Sequence, residues 1–199
     1  MRKTLLLALL IACAPLGAIR AQQATVVGGF LGAQFYDTDA PLETSPILGV
    51  RWAWFARNGQ GFEVTLDYTE TRIETGQIAT VLGLSFDDPQ SEPEQQQRIS
   101  VDYGYVGRGG MVRPYVVAGV GFLRADIALT LRGQRLATAL NRTVDTHDSS
   151  TTFEAGTGVL VGEDRLRFRY DVRIVRIKNL FDDGGTTTYQ TTGGISWVF

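Results

Sequence analysis

Residues 165–174 read RLRFRYDVRI. Arg165, Arg167, Arg169, Asp171 and Arg173 form one row, and Leu166, Phe168, Tyr170, Val172 and Ile174 form the other. A period of two marks a β-strand, because successive side chains point to opposite faces of the sheet. In a soluble sheet the apolar row lies on a core and the charged row lies in water. In a membrane barrel the apolar row faces lipid and the charged row is enclosed. One strand cannot choose between them, so the rest of the chain has to.

Eight alternating segments can be drawn, approximately Thr25–Tyr36, Ser45–Ala56, Gly61–Arg72, Arg98–Val106, Arg113–Leu123, Ser150–Val161, Leu166–Ile177 and Thr187–Phe199. Most approach the about 9–11 residues that a tilted strand needs to cross hydrocarbon. Three connections are short: Arg57–Gln60, Gly107–Val112 and Gly162–Arg165. They hold the Asn58-Gly59 and Gly109-Gly110 pairs that tight hairpins favour. Four are polar and variable: Asp37–Thr44, Ile73–Gln97, Arg124–Ser149 and Lys178–Thr186. The two kinds alternate along the chain, which places short turns at one end of an up-and-down barrel and longer loops at the other. A sandwich with Greek-key crossovers has no reason to sort its connections this way. Ten strands are the alternative, with Gln77–Phe86 and Ile127–Ala137 as the extra pair.

The chain starts MRKTLLLALLIACAPLGAIRAQQ, with a basic Arg2-Lys3 pair, a short apolar run and a cleavage site after Ala21. This predicts a secretory signal peptide over 1–21 and a barrel domain over 22–199. Leu10-Ile11-Ala12-Cys13 also fits a lipoprotein box, which would leave Cys13 lipidated. Cys13 is the only cysteine, so cleavage after Ala21 excludes a disulfide framework and a thiolate metal site. Removing Arg2, Lys3 and Arg20 from the 19 basic residues leaves 16 against 21 acidic ones, a net charge of −5. That disfavours nucleic acid as a partner.

The outer rows so defined include Val27, Leu31 and Phe35; Leu48, Val50, Trp52 and Trp54; Phe62, Val64, Leu66 and Tyr68; Ile99, Val101, Tyr103 and Tyr105; and Phe153, Val159 and Val161. Trp52, Trp54, Tyr68, Tyr105, Tyr189, Trp197 and Phe199 are candidate girdle aromatics at the headgroup level. The opposite rows carry Arg51, Glu63, Asp67, Asp102, Glu154, Arg167, Arg169, Asp171 and Arg173. Four positive and five negative charges suit a narrow interior of paired side chains, because an unpaired charge there is costly. Gly28, Gly32, Gly49, Gly104, Gly156 and Gly158 lie in the same rows and leave space for long arginines. The Arg113–Leu123 segment is apolar on both faces, and its phase is open.

The final TTGGISWVF puts Gly193, Ile195, Trp197 and Phe199 in one row, and a terminal aromatic closing an alternating strand resembles the end signal of bacterial outer-membrane β-barrels. With the eight strands, the chain resembles the small outer-membrane barrels of the OmpA/OmpX kind. The resemblance implies an all-β, antiparallel transmembrane barrel in the bacterial outer membrane. Outer-membrane lipid and lipopolysaccharide would be its surroundings, and the barrel-assembly machinery would read the strand that ends at Phe199. An eight-stranded interior is about filled by its own side chains, so a general porin is not expected.

Three function classes follow. The first is a non-enzymatic structural or interaction barrel, serving envelope integrity, adhesion or binding of an unidentified extracellular ligand through its loops. The second is a lipid-modifying enzyme. His147 and Ser149 in HDSS, with Glu154 further on, resemble the His-x-Ser pair of the lipid A deacylase barrels, where histidine deprotonates serine and a carboxylate orients the histidine. The pair falls in a segment that reads as loop, and Glu154 has the opposite parity. The third is a soluble periplasmic barrel binding a small ligand. No cofactor or metal site is predicted. Asp87, Asp88, Glu92 and Glu94 lack calcium-loop spacing, as does Asp182-Asp183-Gly184-Gly185, which reads as a turn. Asn141-Arg142-Thr143 matches a glycosylation sequon without consequence in a bacterium.

Overall fold

The computed structural model describes residues 24–37, 42–74, 91–108, 110–127, 147–162, 165–178 and 185–199. The strands are β1 (Ala24–Tyr36), β2 (Ser45–Phe55), β3 (Gln60–Glu74), β4 (Ser91–Val106), β5 (Val112–Ile127), β6 (His147–Val161), β7 (Leu166–Ile177) and β8 (Thr186–Val198). Each pairs antiparallel with its chain neighbours, and β8 pairs back on β1, so the sheet closes into an eight-stranded barrel. Closure satisfies the backbone groups that an open edge would leave bare, which is the condition for crossing hydrocarbon with strands.

The short turns share one end with the two termini of the wall. Between β2 and β3, Ala56 N–H donates to Gln60 O at 2.8 Å and Gly59 N–H to Ala56 O at 2.9 Å. Gly59 adopts φ 89°, which only glycine tolerates cheaply, and the Asn58 side chain accepts from Gln60 N–H at 3.1 Å. The connections after β1, β3, β5 and β7 cover 37–44, 75–90, 128–146 and 178–185 at the other end.

Four strands run further toward that loop end than alternation predicts. β3 and β4 stay paired out to Glu74 and Ser91, and β5 and β6 out to Asp126 and His147. The reason is visible in Glu94-Gln95-Gln96-Gln97. Glu94 and Gln96 are buried in the lumen, whereas Gln95 and Gln97 are exposed. Once the outer face leaves hydrocarbon both faces are polar, and the period-two signal disappears although the ladder continues. Of the expected acidic loop, Glu92 and Glu94 therefore stand on β4, and Asp87 and Asp88 lie outside the described residues. So do residues 1–21 with Cys13, Asn141–Thr143 and Asp182–Gly184, and, apart from Ile127 at the end of β5, the proposed ninth and tenth strands.

The wall is inverted relative to a soluble domain. Among the described residues, twelve hydrophobic and twenty-three polar or charged side chains are buried, while twenty-five large hydrophobics are exposed. Phe168 is 58% exposed and Arg169 6%, so RLRFRYDVRI turns its greasy row outward. This excludes the soluble-barrel reading, because such a band in water would be an aggregation surface. Closure also fixes the phase of β5. Tyr115, Val117, Leu123 and Ala125 point inward, and Val116, Val120 and Phe122 point outward.

Candidate functional site

The lumen is organised in layers. At the turn end, Tyr115, Val117 and Leu160 form an apolar cluster with Val106 against it. The middle is charged. Above it Gln34, Gln96 and Gln190 link β1, β4 and β8: Gln190 Nε2 donates to Gln34 Oε1 at 2.7 Å, and Gln34 Nε2 to Gln96 Oε1 at 3.3 Å. At the loop end, Leu123, Ala125, Val175 and Ile177 form a second apolar cluster, capped by Leu42 from the β1–β2 connection.

The middle layer answers an electrostatic problem set by the register. Glu63 on β3 pairs directly with Asp102 on β4. Like charges opposite one another destabilise a sheet. Arg173, on β7 across the lumen, bonds to Glu63, to Asp102 at 2.8 Å and to Asp171 at 2.9 Å, and lies 3.5 Å from Glu154. Arg169 bonds to Glu63 through both terminal nitrogens. Arg51 reaches Asp171 at 2.6 Å, and Arg98 holds Asp67 at 2.5 Å and Glu154 at 2.7 Å. Aromatic rings complete the desolvation: Arg51 stacks 3.9 Å over Phe30, and Arg169 lies 4.3 Å over Tyr115. Every one of these charges is 9% exposed or less. Charged groups can be held so deep only because each is ion-paired and hydrogen-bonded.

Glycine makes this filling possible. A Cβ on Gly49 would stand 2.5 Å from the Phe30 ring, and one on Gly156 would stand 2.7 Å from Arg173 Cγ. The lumen thus has no spare methyl volume where Phe30 and Arg173 cross it.

The structure brings together Arg51, Glu63, Asp67, Asp102, Glu154, Arg169, Asp171 and Arg173. It corrects the expected set in two places. Arg167 is half-exposed at the turn end and makes no ion pair among the described residues. Arg98, buried at 4%, supplies the fourth cation instead. Its parity with Asp102 was the available signal, but it sat at the edge of a polar segment read as loop. Of the enzymatic constellation, Ser149 and Glu154 are not brought together. Ser149 is exposed on the outer wall of β6, whereas Glu154 lies in the lumen bonded to Arg98. The two residues differ in parity on one continuous strand, so no loop is left to swing them together. His147 opens β6, and its side chain falls outside the described residues.

The aromatics stand on the outer face. Trp54, Tyr105, Trp197 and Phe199 lie near the turn end, with Trp52 one outward position deeper than Trp54. Phe62 and Tyr103 meet edge to face there at 5.4 Å. Tyr189 lies near the loop end of β8, beside Phe35, and Tyr68 marks where the outer row of β3 turns polar at Glu70.

A closed antiparallel wall with an apolar outside, an ionic inside and aromatics toward both ends is the transmembrane-barrel pattern. The model of the outer membrane protein beta-barrel domain matches residues 4–199. The chain belongs to that family. This outer-membrane barrel resides in the bacterial outer membrane; in barrels of this kind the short turns face the periplasm and the longer connections the outside. Its fold is similar to that of Neisserial surface protein A, at 12% identity and TM-score 0.57 over 89% of this chain and 97% of that one. It is also similar to OprG from Pseudomonas aeruginosa, at 14% identity and TM-score 0.57 over 90% and 97%. At such identities the likeness concerns the fold alone. No curated protein sequence matches the chain.

Proposed function

We propose that this outer-membrane barrel has a structural and interaction role, presenting its loop-end connections at the cell surface for adhesion, envelope integrity or capture of an extracellular ligand. The observation that carries this reading is the lumen, where four arginines and their carboxylates are bonded across the bore between two apolar layers. A bore filled in this way offers no aqueous path, so activity is left to the outer wall and the connections. Lipopolysaccharide and lipid surround the wall, and the strand ending at Phe199 serves insertion by the assembly machinery.

Two measurements test the proposal. In planar bilayers the purified barrel should give no steady conductance; a sustained open level like that of a water-filled pore would overturn it. On intact cells trypsin should cut at Arg132, Arg135 or Arg142 between β5 and β6 and spare Arg57 and Arg108 in the turns. The reverse pattern would end the surface-presentation role.

A further inference from the structure

The turn-end mouth of the bore holds a cavity of about 390 Å³, lined by Arg57, Arg108, Arg113 and Arg167 above a floor that includes Val106 and Leu160. The described lining contains four guanidinium groups and no carboxylate. The contrast with the middle layer is sharp, since Arg51, Arg98, Arg169 and Arg173 each reach two or more carboxylates. None of the four mouth arginines forms an ion pair among the described residues. Arg113 Nε–H donates to Gly110 O at 3.3 Å, and Arg167 Nε is buried with no hydrogen-bond partner. Leu160 and Val106 join Tyr115 and Val117 in the apolar layer between the cavity and the charged middle. The pocket lies at the turn end, which faces the periplasm in barrels of this kind.

Convergent positive charge beside a low-dielectric floor concentrates anions. Guanidinium forks match the paired oxygens of carboxylate and phosphate, and several together favour an anion of more than one charge. The cavity volume falls within the roughly 300–1,000 Å³ typical of small-molecule sites. We propose that the periplasmic mouth binds a soluble multivalent oxyanion of the phosphate or polycarboxylate class. The site is a receptor, and the plugged lumen above it rules out passage.

The test is calorimetry on the refolded barrel in zwitterionic detergent at low ionic strength, with inorganic pyrophosphate and citrate as probes. One saturable site per barrel is expected for at least one probe, with stronger binding to pyrophosphate or to citrate telling the two anion classes apart. Arg113→Gln combined with Arg167→Gln should weaken binding about tenfold or more, the scale of a lost charge-assisted bond. Arg124→Gln on the outer rim should leave binding unchanged. Retention of the folded mobility on unboiled gels shows that a variant is intact. Absence of saturable binding for both probes, or equal binding by the double variant, overturns the proposal. Glu163 and Asp164, on the β6–β7 turn, lie outside the described residues. Binding seen only after Glu163→Gln and Asp164→Asn would also overturn it, because the cradle would then be filled by its own turn. Nanodiscs of phosphatidylcholine with and without phosphatidylglycerol complete the test. Suppression of probe binding by the anionic lipid would assign the pocket to a headgroup and refute the soluble source.

Discussion

Replacing Arg173 by methionine removes the cation on which the middle layer converges while nearly keeping its volume. The side chain is 1% exposed, so no solvent replaces it. After Arg173→Met, Glu63 still has Arg169, Asp171 still has Arg51 at 2.6 Å, and Glu154 still has Arg98 at 2.7 Å. Asp102 keeps no cation among the described residues. Breaking a buried pair from one side costs about 3–5 kcal/mol, most of it the isolation of the remaining charge. The substitution should therefore destabilise the barrel by about that much, mainly through Asp102. Asp102→Asn in the same chain removes the stranded charge and should recover about 1–3 kcal/mol, the coupling expected of neighbours in one network. The assay is reversible urea unfolding in phospholipid vesicles, read by the fluorescence of Trp52, Trp54 and Trp197. A loss below about 1 kcal/mol for Arg173→Met, or a double variant weaker than the single one, would refute the reasoning by showing that Asp102 holds no isolated charge, through proton uptake or through screening by water.

Two further outcomes follow from the same wall. A nitroxide on Phe168→Cys, at a position 58% exposed, should collide with lipid-dissolved oxygen, while one on Thr65→Cys, at 0%, should be shielded; the opposite ranking would reverse the faces. Gly49→Val would drive a side chain against the Phe30 ring, 2.5 Å from where its Cβ would stand, and should cost about 1–3 kcal/mol in the same unfolding assay. A neutral result there would mean that the lumen has room to spare.

The amino-acid order alone dictates the strands and the sorting of their faces, because alternation is written residue by residue in segments such as RLRFRYDVRI. It also determined the two ends, since Asn58-Gly59 encodes a tight turn locally. The phase of β5 was not legible, because VVAGVGFL has no polar row and only pairing with β4 and β6 chooses which methyls face lipid. The outward reach of β3 to β6 was hidden for the converse reason, both faces of Glu94–Gln97 being polar. The charged row was legible as a row, but its partners were not. Arg51 meets Asp171 across 120 positions of chain, and Arg98 meets Glu154 across 56. Closure alone brings those walls together, and it is closure that admits Arg98 to the network and leaves Arg167 at the mouth. It also set Ser149 and Glu154 on opposite sides of the wall. Local alternation assigns a side chain to a face, but only the register around a closed ring assigns it a neighbour.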